Sequence, residues 1–175
     1  MSVRSASGII LALPLLAVLL AGQRAAASDI GERMAANVAA VEEKVIGLAE
    51  AIPEGKYGWA PSDGVRSVSE VLAHIASANH FFAARMGGDG PPADSRDWER
   101  TVKTTADAVE KLKGSFAAVR KALAEADLDK PTKLFGGQDG TVGDFGLIAV
   151  GHVHEHLGQL IAYARSNQVT PPWSE

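Results

Sequence analysis

Residues 151–165 read GHVHEHLGQLIAYAR. Three of the chain's five histidines fall within five residues here, after which the stretch continues as an apolar helix. Residues four apart on an α-helix are offset by about 40° and lie one turn above each other, so His152 and His156 share a face. They belong to the row Phe145, Ala149, His152, His156, Leu160, Tyr163, whose apolar character turns it towards a core. Two imidazoles on such a face need partners, because an unpaired buried polar group costs roughly 1–3 kcal/mol. A divalent cation satisfies both through one nitrogen each, and hydrogen bonding inside the fold is the alternative. His154 lies about 200° round the helix from His152 and cannot share that site.

The helix carrying these residues starts after FGGQDG, with Thr141 as cap and Asp144 three residues on, and ends near Ser166. Its apolar positions nearly encircle it, which places it centrally. Three more helices are expected upstream. Residues 29–51 repeat apolar side chains at Ile30, Met34, Val38, Val41, Val45 and Leu48, the spacing of an amphipathic helix, until Pro53 and Gly55 stop it. A second opens on the S-x-x-E capping box of Ser67 and Glu70 and carries Val68, Val71, Leu72, Ile75, Phe82 and Met86 up to Gly87-Gly88. A third runs from about Thr104 to Ala126, with Val109, Leu112, Phe116, Val119 and Leu123 on one side. Almost nothing reads as strand. The expected fold is all-α, an up-and-down-type four-helix bundle with a longer connection on one side.

The two connections GGDGPPADSRDW and DLDKPTKLFGGQDG are long for a bundle, which makes them candidates to cover a site. Neither fits a P-loop or a calcium loop, and both read as turns.

His74 follows the row Val71, His74, Ala78, Phe81 on the second helix. If that helix faces the last one, His74 approaches the His152/His156 pair and completes three neutral nitrogen ligands with open positions for water. A helix histidine satisfied by a hydrogen bond is the competing reading. His80, about 240° from His74, is expected at the surface or facing a loop, as is His154. Glu155 lies off the pair's face and is expected in solvent or in an outer role. Gln159 can orient a ligand, or make an ordinary helix hydrogen bond. Gly158 in mid-helix costs about 1 kcal/mol relative to Ala, for which close approach of another helix is the expected reason. Trp59, Trp98, Trp173 and Tyr163 are expected as packing anchors.

The first residues, MSVRSASGIILALPLLAVLLAGQ, combine Arg4 with an apolar run from Gly8 to Ala21, followed by Ala25 and Ala27 at the positions of an A-x-A cleavage site. Residues 1–27 are therefore expected to be a cleavable signal peptide, and residues 28–175 the domain. A retained anchor is the alternative, but the run is shorter than the about 20 residues a span requires. Export places the domain in the periplasm or outside the cell, with no stable membrane span after processing. Without residues 1–27 the chain loses Arg4 and Arg24 from its 17 basic residues and none of its 21 acidic ones, for a net charge of −6. That balance argues against nucleic-acid binding. With no Cys, disulfides, thiolate ligands and Cys nucleophiles are excluded.

Taken together, W-x-P at Trp59 to Pro61, RSVSEVLAHIASANHFF, H-x-x-x-H-x-G-Q from His152 to Gln159, the YAR that follows and the closing PPWS resemble the DinB-like superfamily of four-helix metal-binding proteins. The resemblance implies ligand roles for His74, His152 and His156, the same residues that helix geometry selects. It also implies a divalent transition metal, zinc or nickel foremost, with iron, copper or manganese as further candidates. Members include thiol-dependent S-transferases and isomerases beside many without known activity. They are mostly cytosolic, so the signal peptide argues against a cytosolic thiol cofactor here. The expected function is that of an exported metal-binding protein acting as a metal-dependent hydrolase on a small-molecule substrate, with a thiol S-transferase and a non-catalytic metal-binding or structural protein as alternatives. No catalytic base is identifiable from the sequence, and a homodimer is a candidate assembly.

Overall fold

The computed structural model of the chain describes the backbone of residues 12–174 and the side chains of residues 29–174. Residues 1–11 of the expected signal peptide, and all of its side chains, lie outside the described residues. The helices are α1 (Ala12–Ala51), α2 (Val68–Arg85), the short α3 (Trp98–Thr101), α4 (Thr105–Glu125) and α5 (Val142–Ser166). Among the described residues no helix is long and apolar enough to cross a membrane.

Helix limits follow local chemistry. Ahead of α2 the Ser67 backbone N–H donates to Glu70 Oε2 at 2.7 Å, and ahead of α5 the Thr141 N–H donates to Asp144 Oδ2 at 2.7 Å. These are the reciprocal caps that the two S/T-x-x-E/D patterns predict. Thr104 caps α4 by accepting from the Asp107 N–H at 3.2 Å. At the end of α2, Gly87 takes φ +92° and the Gly88 N–H returns to the Ala83 carbonyl at 2.9 Å. Glycine adopts that left-handed conformation without a Cβ penalty.

α1 packs along α4 and α5, and α2 packs along the same two helices, so α1 and α2 occupy diagonal corners of the bundle. Cross-contacts give the directions. Asn79 meets Ser115, and Gly88 approaches Ala122, so α2 and α4 run the same way. Tyr163 near the end of α5 bonds to Arg66 just ahead of α2, while Arg85 at the end of α2 lies over Phe145 at the start of α5, so that pair is antiparallel. The expected up-and-down alternation is therefore broken at one place. Two parallel neighbours need a connection that crosses the whole bundle, and residues 86–104, which contain α3, supply it.

Both long connections hold more than turns. The first carries α3 with the buried Trp98, whose indole N–H donates to Asp94 at 2.9 Å. The second forms an antiparallel ribbon of β1 (Pro131–Lys133) and β2 (Asp139–Thr141) with Gly136 and Gly137 at positive φ between them. The core between the helices includes Val38, Val45, Leu72, Leu112, Phe116, Phe145 and Leu160, all fully buried. Ile30, counted in the apolar stripe of α1, is 51% exposed, so the stripe is buried only from Val38 onward.

Candidate metal centre

The middle of α2 and the middle of α5 face each other through three imidazoles. His74 Nε2 lies 3.1 Å from His152 Nε2, and the donor atoms of His74, His152 and His156 all fall within 4.8 Å of one another. His156 is buried, and the other two are partly so. The row of α5 that contains them is buried as its periodicity requires, from Phe145 and Ala149 to Leu160 and Tyr163.

The outer nitrogens are held by two relays whose directions can be deduced. The Arg66 carbonyl can only accept, so the Tyr163 hydroxyl donates to it at 3.0 Å and accepts from Gln159 Nε2 at 2.8 Å. Gln159 Oε1 is then the atom that faces His156 Nδ1 at 2.8 Å, which makes Nδ1 the protonated nitrogen. In the second relay Arg66 Nε donates to Glu99 Oε2 at 2.9 Å, and Glu99 Oε1 accepts from His74 Nδ1 at 2.9 Å. His74 and His156 each therefore turn an unprotonated Nε2 into the same space. Arg66 anchors both relays, one through its carbonyl and the other through its guanidinium.

Either tautomer of His152 leaves a mismatch. With Nε2 donating to His74 Nε2, the buried Nδ1 is an acceptor without a partner; with Nδ1 protonated, two unprotonated Nε2 atoms face each other at 3.1 Å, which a shared cation relieves. Nitrogens each about 2.1 Å from one ion, at octahedral to tetrahedral angles, stand about 3.0–3.4 Å apart. The His74–His152 separation of 3.1 Å falls in that range. One pair already stands at the separation of two ligands on one ion, and the three residues together can hold a divalent cation, for which an all-imidazole donor set suits zinc, nickel, copper or iron.

Electrostatics favour the unprotonated state of His152 and His74. Burial, joined by the charges of His156, His74 and Arg66, holds the His152 pKa down to about 4. Burial also lowers that of His74, against the pull of its hydrogen bond to Glu99. For Glu99, burial pushes upward, but hydrogen bonds from Arg66 and His74 outweigh it and keep the carboxyl below its ordinary value. An anionic Glu99 fixes the tautomer and ring angle of His74 and makes its Nε2 a stronger donor.

Other expectations resolve cleanly. His154 is exposed on the opposite side of α5, with Nε2 2.7 Å from Asn37 Oδ1, and Glu155 is exposed as well. His80 faces the first connection, its ring 5.9 Å from that of Trp98. Trp98 and Tyr163 are buried anchors, and Trp59 packs edge-on against Tyr163 at 5.1 Å, whereas Trp173 is 39% exposed. The expectation for Gly158 is overturned: it is exposed, and a Cβ there would meet nothing within 4 Å. The glycine of α5 that a neighbour does require is Gly146, where a Cβ would lie 3.2 Å from Leu123 Cδ2 and 3.2 Å from Met34 Cε.

Sequence reasoning did not find Glu99 or the double role of Arg66. Glu99 follows directly on GGDGPPADSRDW, the stretch read as a turn, 25 residues from the histidine it holds. No helical spacing links residues so far apart, and only the folding of α3 against α2 joins them.

A pocket of about 690 Å³ opens over His74 and His152, and a second of about 640 Å³ opens over His156 and Gln159, with Glu99 lining both. Fold and site together define a four-helix bundle with a solvent-accessible centre of three imidazoles that can hold a metal ion. The sequence profile of the DinB superfamily matches residues 38–160, and the chain belongs to that superfamily. Among solved structures, the chain is similar to a DinB-like protein from Bacillus subtilis, with a TM-score of 0.63 and 22% identity over 79% of this chain and 93% of that one. It is also similar to a DinB-like protein from Bacillus cereus, with a TM-score of 0.64 and 18% identity over 77% of this chain and 91% of that one. A comparison with curated proteins gives no match.

Proposed function

We propose that this is an exported metal-dependent hydrolase of small molecules, with a divalent transition metal held by His74, His152 and His156. The observation that carries the reading is the placement of three convergent, neutral imidazoles beneath an open pocket. Three neutral ligands leave the cation its full charge, so that when bound it supplies Lewis-acid chemistry, polarising a substrate oxygen or acidifying water. The chain's own residues do the positioning. Glu99 and Gln159 aim the Nε2 atoms of His74 and His156, Arg66 braces both, and Phe82 packs edge-on against the His152 ring at 5.5 Å. Glu99 is engaged on both oxygens and kept anionic, which suits it to orienting His74 rather than to accepting a substrate proton. Export rests on the charged start, apolar run and A-x-A pattern of residues 1–27.

A second reading, a metal-dependent S-transferase, is favoured by one feature: two pockets of similar volume meet at the imidazoles and offer room for two substrates. The metal-loaded protein assayed on ester, amide and phosphoester panels, and separately on small thiols with electrophiles, distinguishes the two. Hydrolytic turnover that requires metal and is lost in His156→Ala supports the proposal. Turnover only with a thiol transfers the assignment to the second reading, and inactivity on both panels with metal retained assigns a non-catalytic metal protein.

A further inference from the structure

The pocket over His74 and His152 differs in chemistry from the one over His156. The latter is lined by Arg66, Glu99, Glu155 and Gln159, with Gly64 and Val65 beside them. The former is walled by Phe81, Phe82 and Phe135, with Pro91 and Pro92 from the first connection, and Arg96 and Glu99 complete its lining. Its aromatic wall is built from distant parts of the chain. Phe81 of α2 stacks on Phe135 of the second connection with centroids 5.9 Å apart and planes at 16°, and Phe135 in turn meets the buried Phe145 edge-on at 5.6 Å. Phe82 links that wall to the His152 ring. Despite these contacts Phe81 is 36% and Phe135 51% exposed. Two large rings from separate elements, aligned and left facing one cavity, present apolar surface that burial in the core would otherwise have used.

We infer that this pocket is the subsite for a flat, ring-bearing, uncharged part of the substrate, seated between Phe135 and the His74/His152 imidazoles. The inference rests on the metal-dependent reading only for what happens at the imidazoles, since the aromatic wall stands without a metal. A volume of about 690 Å³ suits a small organic molecule of one to three rings, within the range of about 300–1,000 Å³ common for ligand pockets. Phe81 and Phe135 already stack on each other and Arg85 lies over the Phe81 ring at 5.3 Å, so affinity comes from apolar contact of the guest with the parts of the two rings left exposed. The polar part of the substrate then extends past Glu99 towards the second pocket. Both long connections, by contributing Pro91, Pro92 and Phe135, select the substrate, while α2 and α5 carry the reactive centre.

The test uses N-phenyl-1-naphthylamine, an uncharged fluorescent probe, on the metal-free protein purified in its processed form, without the apolar run of residues 1–27. Saturable binding at one site is expected, weakened about tenfold or more in Phe135→Ala and in Phe81→Ala and unchanged in Ile30→Ala, which trims an apolar patch elsewhere. Circular dichroism confirms that these exposed-site variants are folded. Loading with Cu²⁺ should quench the bound probe, and loading with Zn²⁺ should not, because the guest lies beside the imidazoles. Absence of binding, equal binding in all variants, loss in Ile30→Ala alone, or no Cu²⁺ quenching despite copper uptake would overturn the inference. Self-association that Phe135→Ala abolishes, without probe binding, would assign the face to a second copy and overturn it too. Metal uptake is measured separately on the same samples. Failure to take up either ion refutes the metal reading, while the phenylalanine variants still decide the subsite.

Discussion

Replacing Glu99 by Ala removes one atom group and tests the relay that holds His74. The carboxylate accepts from His74 Nδ1 at 2.9 Å and from Arg66 Nε at 2.9 Å. Without it nothing fixes which nitrogen of His74 carries the proton, and the ring is free to turn its protonated nitrogen towards the centre. Loss of an outer partner of this kind lowers metal affinity about 10- to 100-fold, which corresponds to about 1.4–2.7 kcal/mol. The cost to folding is much smaller. The Arg66 and Glu99 side chains are 43% and 38% exposed, so their ion pair contributes at most about 1 kcal/mol. Glu99→Gln can still accept a hydrogen bond from His74 but lacks the charge, and its affinity should lie between those of wild type and Glu99→Ala. Competition against a chelating indicator, with thermal unfolding of each metal-free variant, gives both quantities. Wild-type affinity in Glu99→Ala would refute the relay, as would a loss no larger than that caused by substituting the exposed Glu155.

Three other outcomes follow from the structure. Gly158→Ala should raise stability by about 0.5–1 kcal/mol, because a Cβ there meets open space in the middle of α5, and denaturant unfolding measures it. The metal-free protein should lose stability as pH falls from 6.5 towards 4. Below 6.5 an unfolded His152 takes up a proton, whereas the folded one, with its pKa held to about 4, does not. Screening at this partly exposed site limits the fall to roughly 1–2 kcal/mol; a flat profile across that window in denaturant titrations would contradict the assignment. For export, mass spectrometry of protein from its native host should find Ser28 at the N-terminus, and an intact N-terminus in a cytosolic fraction would count against it.

The ends of α2, α4 and α5 were legible because they depend on neighbours in sequence, whereas α1 starts at Ala12 rather than near Asp29 and the short α3 was not foreseen. The Ser67/Glu70 and Thr141/Asp144 boxes and Gly87 act within a few residues, and the structure uses each of them. The α5 row with His152 and His156 was legible for the same reason, and His74 joined it because its own row faces the same interior. Helix order was not. Parallel packing of α2 on α4 depends on how residues 86–104 cross the bundle, and no periodicity encodes a crossing. Glu99 was invisible for that reason, and so was the aromatic wall, since Phe81 and Phe135 become neighbours only when the second connection folds back over α2. Gly158 misled because a glycine's cost is local while its reason, when there is one, lies in a neighbour, as it does at Gly146.

If His74, His152 and His156 together hold one divalent cation, removing any one of them should empty the site. Elemental analysis after chelator stripping, reloading and removal of excess metal tests it most directly, on wild type and the four single alanine variants of His74, His152, His154 and His156. Close to one ion per chain is expected for wild type and for His154→Ala, whose side chain points away to Asn37, with uptake largely lost in the other three. Uptake by folded His152→Ala or His156→Ala equal to that of wild type would contradict it.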